Sequence, residues 1–167
     1  MLPDAPSSGQ PPAPPAPGAP ATETTQRQAM MALFARATRK ELEAAVERFR
    51  PFPPLKRLRP SEVGLAMVQG RTGGDGAPFN LGETTVTRAA MQVEGGPTGI
   101  SYMLGRVPEK AEAAATLDAF WQEPALRLAV EDALAPVRRR LAAEEAAAAA
   151  ETEGTKVNFF TMTRGED

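Results

Sequence analysis

The chain has 167 residues, of which 24% are charged, and a formal net charge of -2, so it lacks the basic footprint of a nucleic-acid binder. It contains no cysteine and no histidine, which excludes disulfides, thiol catalysis, thiolate metal sites and the side chain that most readily exchanges protons near neutrality. At this length it is about one domain and can bury roughly two thirds of the surface its unfolded form exposes.

Residues 1–23 read as a disordered Pro/Ala-rich tail. Eight of the 17 prolines fall between Met1 and Ala21 among Ala, Gly and Ser, a composition that favours extended, solvated conformers and offers little to bury. The segment lacks the basic start and continuous apolar run of a secretory signal. Residues 24–154 are expected to form a single α+β domain. Met30, Leu33, Phe34 and Ala37 recur at helical spacing, and Leu42, Ala45, Val46 and Phe49 do so again. Thr38 and Glu41 between them have capping-box spacing, which predicts two helices. Pro51, Pro53 and Pro54 end them.

Leu55–Arg59 is expected to be a short basic edge strand. Val63–Gln69, apolar on both alternating faces, has the pattern of a strand covered on both sides. Gly70 to Gly82 reads as a long hairpin loop; its glycines lack the Gly-Lys-Ser or Gly-Lys-Thr ending of a phosphate loop. Gly82 to Arg106 is the central β-hairpin. One arm aligns Thr85, Thr87, Ala89, Met91 and Val93, the other aligns Ile100, Tyr102 and Leu104, and Gly95-Gly96-Pro97 connects them.

Beyond it, Pro108 and Glu109 suit a helix start, and Ala113, Ala114, Leu117, Phe120 and Trp121 form an apolar stripe in which Trp121 reads as core. A further helix opens at Pro124, carries Leu126, Val130, Ala133 and Leu134, is kinked or restarted at Pro136, and ends at Glu151–Gly154. Arg138, Arg139 and Arg140 splay around a helix and read as a solvated face. The fold expected is therefore α+β: a small antiparallel sheet built on the central hairpin, covered by N-terminal and C-terminal helices. Residues 155–167 read as an extended C-terminal docking arm, because Phe159 and Phe160 are unusual in a disordered tail. A strand added to the chain's own sheet and an arm packed on another subunit both fit that pattern.

Three segments in fixed order carry a family resemblance: Thr87-Arg88-Ala89-Ala90, Ser101-Tyr102-Met103-Leu104-Gly105-Arg106, and Val157-Asn158-Phe159-Phe160-Thr161-Met162-Thr163-Arg164-Gly165. Together with Glu62 to Gly74, they resemble the PhnG family, the G subunits of the bacterial carbon-phosphorus lyase core complex. The resemblance implies a cytoplasmic partner of the I, J and H subunits and the L protein, with no nucleic-acid or membrane partner. In that system the I subunit, helped by G, H and L, couples a phosphonate to the ribose C1 of ATP with loss of adenine. The J subunit later cleaves the carbon-phosphorus bond with S-adenosylmethionine and an iron-sulfur cluster. A chain without cysteine holds no such cluster. The G subunit is thus expected to bind no cofactor or metal itself and to be required without being catalytic.

Arg71, Arg88, Arg106 and Arg164 are candidate anion contacts at a shared active site; for Arg88 and Arg106, surface charge or an intersubunit ion pair is the alternative. Val157, Phe159, Phe160, Met162 and Arg164 are candidate interface residues. Two other functional classes compete: a self-sufficient phosphotransfer or hydrolytic enzyme using Glu83, Asp75 or Lys56, and a stand-alone binding module.

Overall fold

The computed structural model describes residues 23–73 and 75–155. Two helices, α1 (Glu23–Arg36) and α2 (Arg39–Glu47), precede the strands β1 (Leu55–Arg71), β2 (Pro78–Val93) and β3 (Thr98–Leu104). The helices α3 (Pro108–Gln122) and α4 (Arg127–Gly154) follow. The strands form one antiparallel sheet in the order β1-β2-β3, so the expected central hairpin is present and β2 is the middle strand. The α+β class is as expected. No helix among the described residues is long and apolar enough to cross a membrane.

The helix α3 is the centre of the core. Every residue from Ala114 to Trp121 is buried, because the sheet lies on one side of α3 and the other helices lie on the rest. Its alanines let the sheet come close, and Gly99 of β3 completes the fit: a Cβ there would lie 1.9 Å from the Ala115 carbonyl oxygen and 2.3 Å from the Ala119 nitrogen. Trp121 is core, as read from its spacing, with its Nε1 donating to Glu131 Oε1 at 3.0 Å.

The capping box also forms. Glu41 N–H donates to Thr38 Oγ1 at 3.3 Å, and Thr38 N–H donates to Glu41 Oε2 at 2.7 Å. The same carboxylate accepts from Arg140 Nε at 2.8 Å and Nη2 at 2.9 Å. One acidic side chain therefore starts α2 and ties it to α4. The Arg140 hydrogen bonds, with smaller help from Thr38, lower the Glu41 carboxyl from 4.5 to about 2.

Four expectations are corrected. Leu55–Arg59 and Val63–Gln69 are one strand with register shifts around Pro60, since a proline on an edge strand breaks no ladder bond the sheet needs. The Gly70–Gly82 loop is shorter, because β1 continues to Arg71 and β2 starts at Pro78. The part of β1 expected to be covered on both sides is exposed in this chain. Finally, α4 runs on through Pro136 without restarting, and it ends at Gly154 as expected. Burial of Val130, Ala133, Leu134, Val137 and Leu141 outweighs the helix cost of one proline, about 3 kcal/mol, and the alanine run carries the helix onward.

Two measurements check these contacts. Gly99→Ala should cost about 3 kcal/mol through overpacking and lower the melting temperature by roughly 10 °C, whereas Gly64→Ala, with nothing within 4 Å of its added Cβ, should leave it unchanged. Because the folded pKa of Glu41 lies below its unfolded value, its stabilisation is complete above pH 4.5 and is lost as pH falls toward 2. Denaturant midpoints measured across that window should show the gap between wild type and Glu41→Gln closing on acidification.

Candidate subunit interface

Strand alternation gives the sheet two unlike faces. The inner face places Thr87, Ala89, Ser101 and Met103 under α3, all buried. The outer face carries Glu62, Arg88 and Ala90 with Ile100, Tyr102 and Leu104, in the register Glu62↔Arg88↔Tyr102. The aligned set Ile100, Tyr102 and Leu104 is real, but it points away from the helices and is exposed. The side chosen for burial is Gly99, Ser101 and Met103, because only that side admits the backbone of α3.

On this outer face Arg88 donates from Nε and Nη2 to Glu62 Oε2 at 3.2 and 3.1 Å, and Arg59 Nη1 lies 3.7 Å from the same carboxylate oxygen. The Tyr102 hydroxyl first, and Glu62 second, hold the Arg88 pKa above its ordinary value. Arg88 is therefore an intrachain ion-pair partner, and its charge is already met within the sheet. Arg71 closes β1 at the far end of the β1–β2 hairpin, where its Nη1 donates to the Gly76 carbonyl at 3.3 Å. It lies about 30 Å along the ribbon from Arg88, so the two do not converge within this chain. Arg106 is exposed and has no ion pair among the described residues. It follows Gly105, whose φ of 85° needs glycine. Buried Thr87 holds this turn, its Oγ1 donating to the Gly105 carbonyl at 2.6 Å and accepting from the Val107 N–H at 3.0 Å. Arg164, with Val157, Phe159, Phe160 and Met162, lies outside the described residues.

The carboxylates and lysine named for a self-sufficient enzyme are also apart. Lys56 pairs with Gln92 at the base of the sheet, Glu83 pairs with Met67 well out along the hairpin, roughly 30 Å away by strand rise, and Asp75 is in the tip loop. Among the described residues no group of three or more Asp and Glu side chains is placed to hold a metal.

The chain matches the model of the phosphonate metabolism protein PhnG over residues 25–165. It belongs to the PhnG family. It is also 45% identical over 135 residues to the alpha-D-ribose 1-methylphosphonate 5-triphosphate synthase subunit PhnG of Rhizobium meliloti (strain 1021), a match covering 81% of this chain and 86% of the relative.

In this PhnG-family fold one polar residue that the sequence pattern passes over is decisive. Asp118 is fully buried in α3 and accepts from Arg27 Nε at 3.0 Å and Nη2 at 2.7 Å, from the Ile100 N–H at 2.9 Å and from Gln122 Nε2 at 3.3 Å. The Asp118 hydrogen bonds raise the Arg27 pKa. The only signal in the sequence is an acid inside the stripe between Leu117 and Phe120; its partner is 91 positions away. By satisfying the Ile100 N–H, Asp118 fastens the free edge of β3 to α3 and α1. Tyr102 and Leu104, of the same parity as Ile100, present their backbone groups at that free edge beside their exposed side chains.

Arg27→Met should destabilise the chain by about 3 kcal/mol, because it strands a buried carboxylate. Adding Asp118→Asn removes the stranded charge while keeping an acceptor for Ile100, so the double variant should be more stable than Arg27→Met alone. Urea midpoints of the two variants decide it; equal midpoints would mean that the pair carries little of the fold.

Proposed function

We propose that this chain is a required, non-catalytic subunit of an alpha-D-ribose 1-methylphosphonate 5-triphosphate synthase, acting in organic phosphonate breakdown. The observation that carries the reading is the 45% identity to a subunit of that synthase across most of both chains. In this proposal the working assembly includes the I, H and J subunits and the L protein of the carbon-phosphorus lyase system. ATP is the substrate of the assembly, and S-adenosylmethionine and an iron-sulfur cluster belong to the J subunit. The C-terminal residues Val157, Phe159, Phe160, Met162 and Arg164 contribute to subunit contact. The assembly works in the cytoplasm.

Chemistry supports this division of labour. Displacing adenine from the ribose C1 of ATP requires a group that protonates or stabilises the leaving base and a mould for the triphosphate. The described part of this chain does not cluster such groups: Arg88 is paired with Glu62, Arg71 sits at the hairpin tip, and Lys56, Asp75 and Glu83 are dispersed. Its exposed apolar face and free strand edge instead suit contact with other polypeptides. Arg106, exposed and outside any described ion pair, is the candidate among the three described arginines best placed to meet an anion supplied with a partner.

Adenine release from ATP and methylphosphonate tests the proposal. The purified chain should release none, and the reconstituted set of subunits should lose the activity when this chain alone is omitted. Turnover by the isolated chain would place catalysis here, and full activity of the set without it would remove it from the synthase.

A further inference from the structure

The hairpin of β1 and β2 reaches well beyond the helices. β1 has no buried residue along its length, and the first buried residue of β2 is Thr87, opposite Val63. Past the Val86↔Leu104 pair, Leu65–Arg71 pairs with Pro78–Thr85 as a bare two-stranded ribbon, about 20 Å long at strand rise. An isolated ribbon of this kind is at best marginally stable in water. Its side chains make that worse. Val63 at its base and Leu65, Met67, Val68, Phe79 and Leu81 along it are 36 to 67% exposed. They occupy both faces, with Val63, Leu65 and Met67 on one and Val68 with Ala66 on the other, while Leu81 has no residue opposite it, at a bulge.

We infer that this ribbon is an interface arm that inserts, with both faces covered, into an apolar cleft of a different polypeptide subunit of the synthase. The inference rests on the proposed membership in that assembly. The pattern of β1 is that of a strand covered on both sides, and the described residues supply neither cover. The exposed apolar area of the six side chains, summed over both faces, is on the order of 600 Å², close to the ~800 Å² per partner of a stable interface. A second copy of this chain is a poor occupant. Ribbon stacked on ribbon leaves the outer face of each in water. The clefts on the body hold about 190 to 360 Å³, and the roomiest of these is lined by Glu23, Thr24, Arg27, Pro97, Trp121 and Gln122, too small and too polar for six large apolar groups. The partner cleft must run about 20 Å and hold its two walls about 20 Å apart, each at the ~10 Å spacing of stacked sheets.

The test uses the full chain co-expressed with the other synthase subunits. The triple variant Leu65→Ser, Met67→Ser, Leu81→Ser alters only exposed side chains, so its thermal unfolding in isolation should match wild type while its recovery with the partner subunits falls about tenfold or more, as for loss of buried anchors. Amide hydrogen exchange of the wild-type chain supplies a second reading that needs no variant. Residues 65–71 and 78–85 should exchange fast in the pure chain and become protected in the complex. Wild-type recovery of the triple variant together with unchanged exchange in an intact complex would overturn the arm and leave the proposed function standing. Protection that appears in the pure chain with rising concentration would identify a second copy as occupant and overturn the assignment to another subunit. Failure of the wild-type chain to assemble with any synthase subunit would overturn both.

Discussion

The approach of α3 to β3 at Gly99 is the constraint on which the rest of the structure depends. With the Ala115 carbonyl 1.9 Å and the Ala119 nitrogen 2.3 Å from where a Cβ would sit, only a glycine lets the two backbones meet. That contact decides which face of β3 is inner, and through the ladder it decides the inner faces of β2 and of the base of β1. Asp118, one turn along α3 from Ala114 and Ala115, completes the joint by taking the edge N–H of Ile100 and the guanidinium of Arg27. Packing and polar satisfaction thus act at the same place. A buried carboxylate is costly unless paired, and here it is paired and fully hydrogen-bonded, which fastens α1, α3 and β3 in one arrangement.

The consequence is a molecule with one finished side and one unfinished side. The four helices and the inner face of the sheet bury a core dominated by alanine, leucine, valine and single large aromatics such as Trp121, Phe34 and Phe120. The outer face and the β1–β2 ribbon keep Leu65, Met67, Tyr102 and Leu104 in water. Scattered surface apolar residues are ordinary, but here Leu65 and Met67 on one face of the ribbon and Tyr102 and Leu104 on the other face of the sheet lie beside open strand edges, which suits contact with another polypeptide. This division suits a member of a family in which a 45% identical relative is a synthase subunit.

Electrostatics play a different part on each side. The bidentate contacts of Arg140 on Glu41 and of Arg27 on Asp118 link elements far apart in the chain, and they hold helices in place. The Glu62–Arg88 pair is exposed and worth little to stability. Its effect is to neutralise the one outer-face arginine nearest to Tyr102, which leaves the surrounding surface more apolar and better suited to burial than a free guanidinium would.

The sequence by itself determined the local elements. Helical spacing at Met30, Leu33 and Phe34, the Thr38–Glu41 capping box, the Gly95–Pro97 turn and the start of α3 at Pro108 depend on neighbours a few positions away, and each is where the pattern places it. The core role of Trp121 was legible for the same reason, whereas Arg140, read with Arg138 and Arg139 as part of a solvated face, is spent on Glu41 of α2. What only the tertiary structure decided is which face of each strand is covered and which polar groups are spent inside the chain. Alternation defines two faces without ranking them, so the more apolar set Ile100, Tyr102 and Leu104 lies outside while glycine and serine lie inside. The Asp118–Arg27 pair and the Arg88–Glu62 pair join positions 91 and 26 residues apart, and no local pattern encodes such a meeting. The both-sided apolar pattern of β1 was readable, but the described residues leave it uncovered, because alternation records which faces of a strand are apolar and not what lies over them.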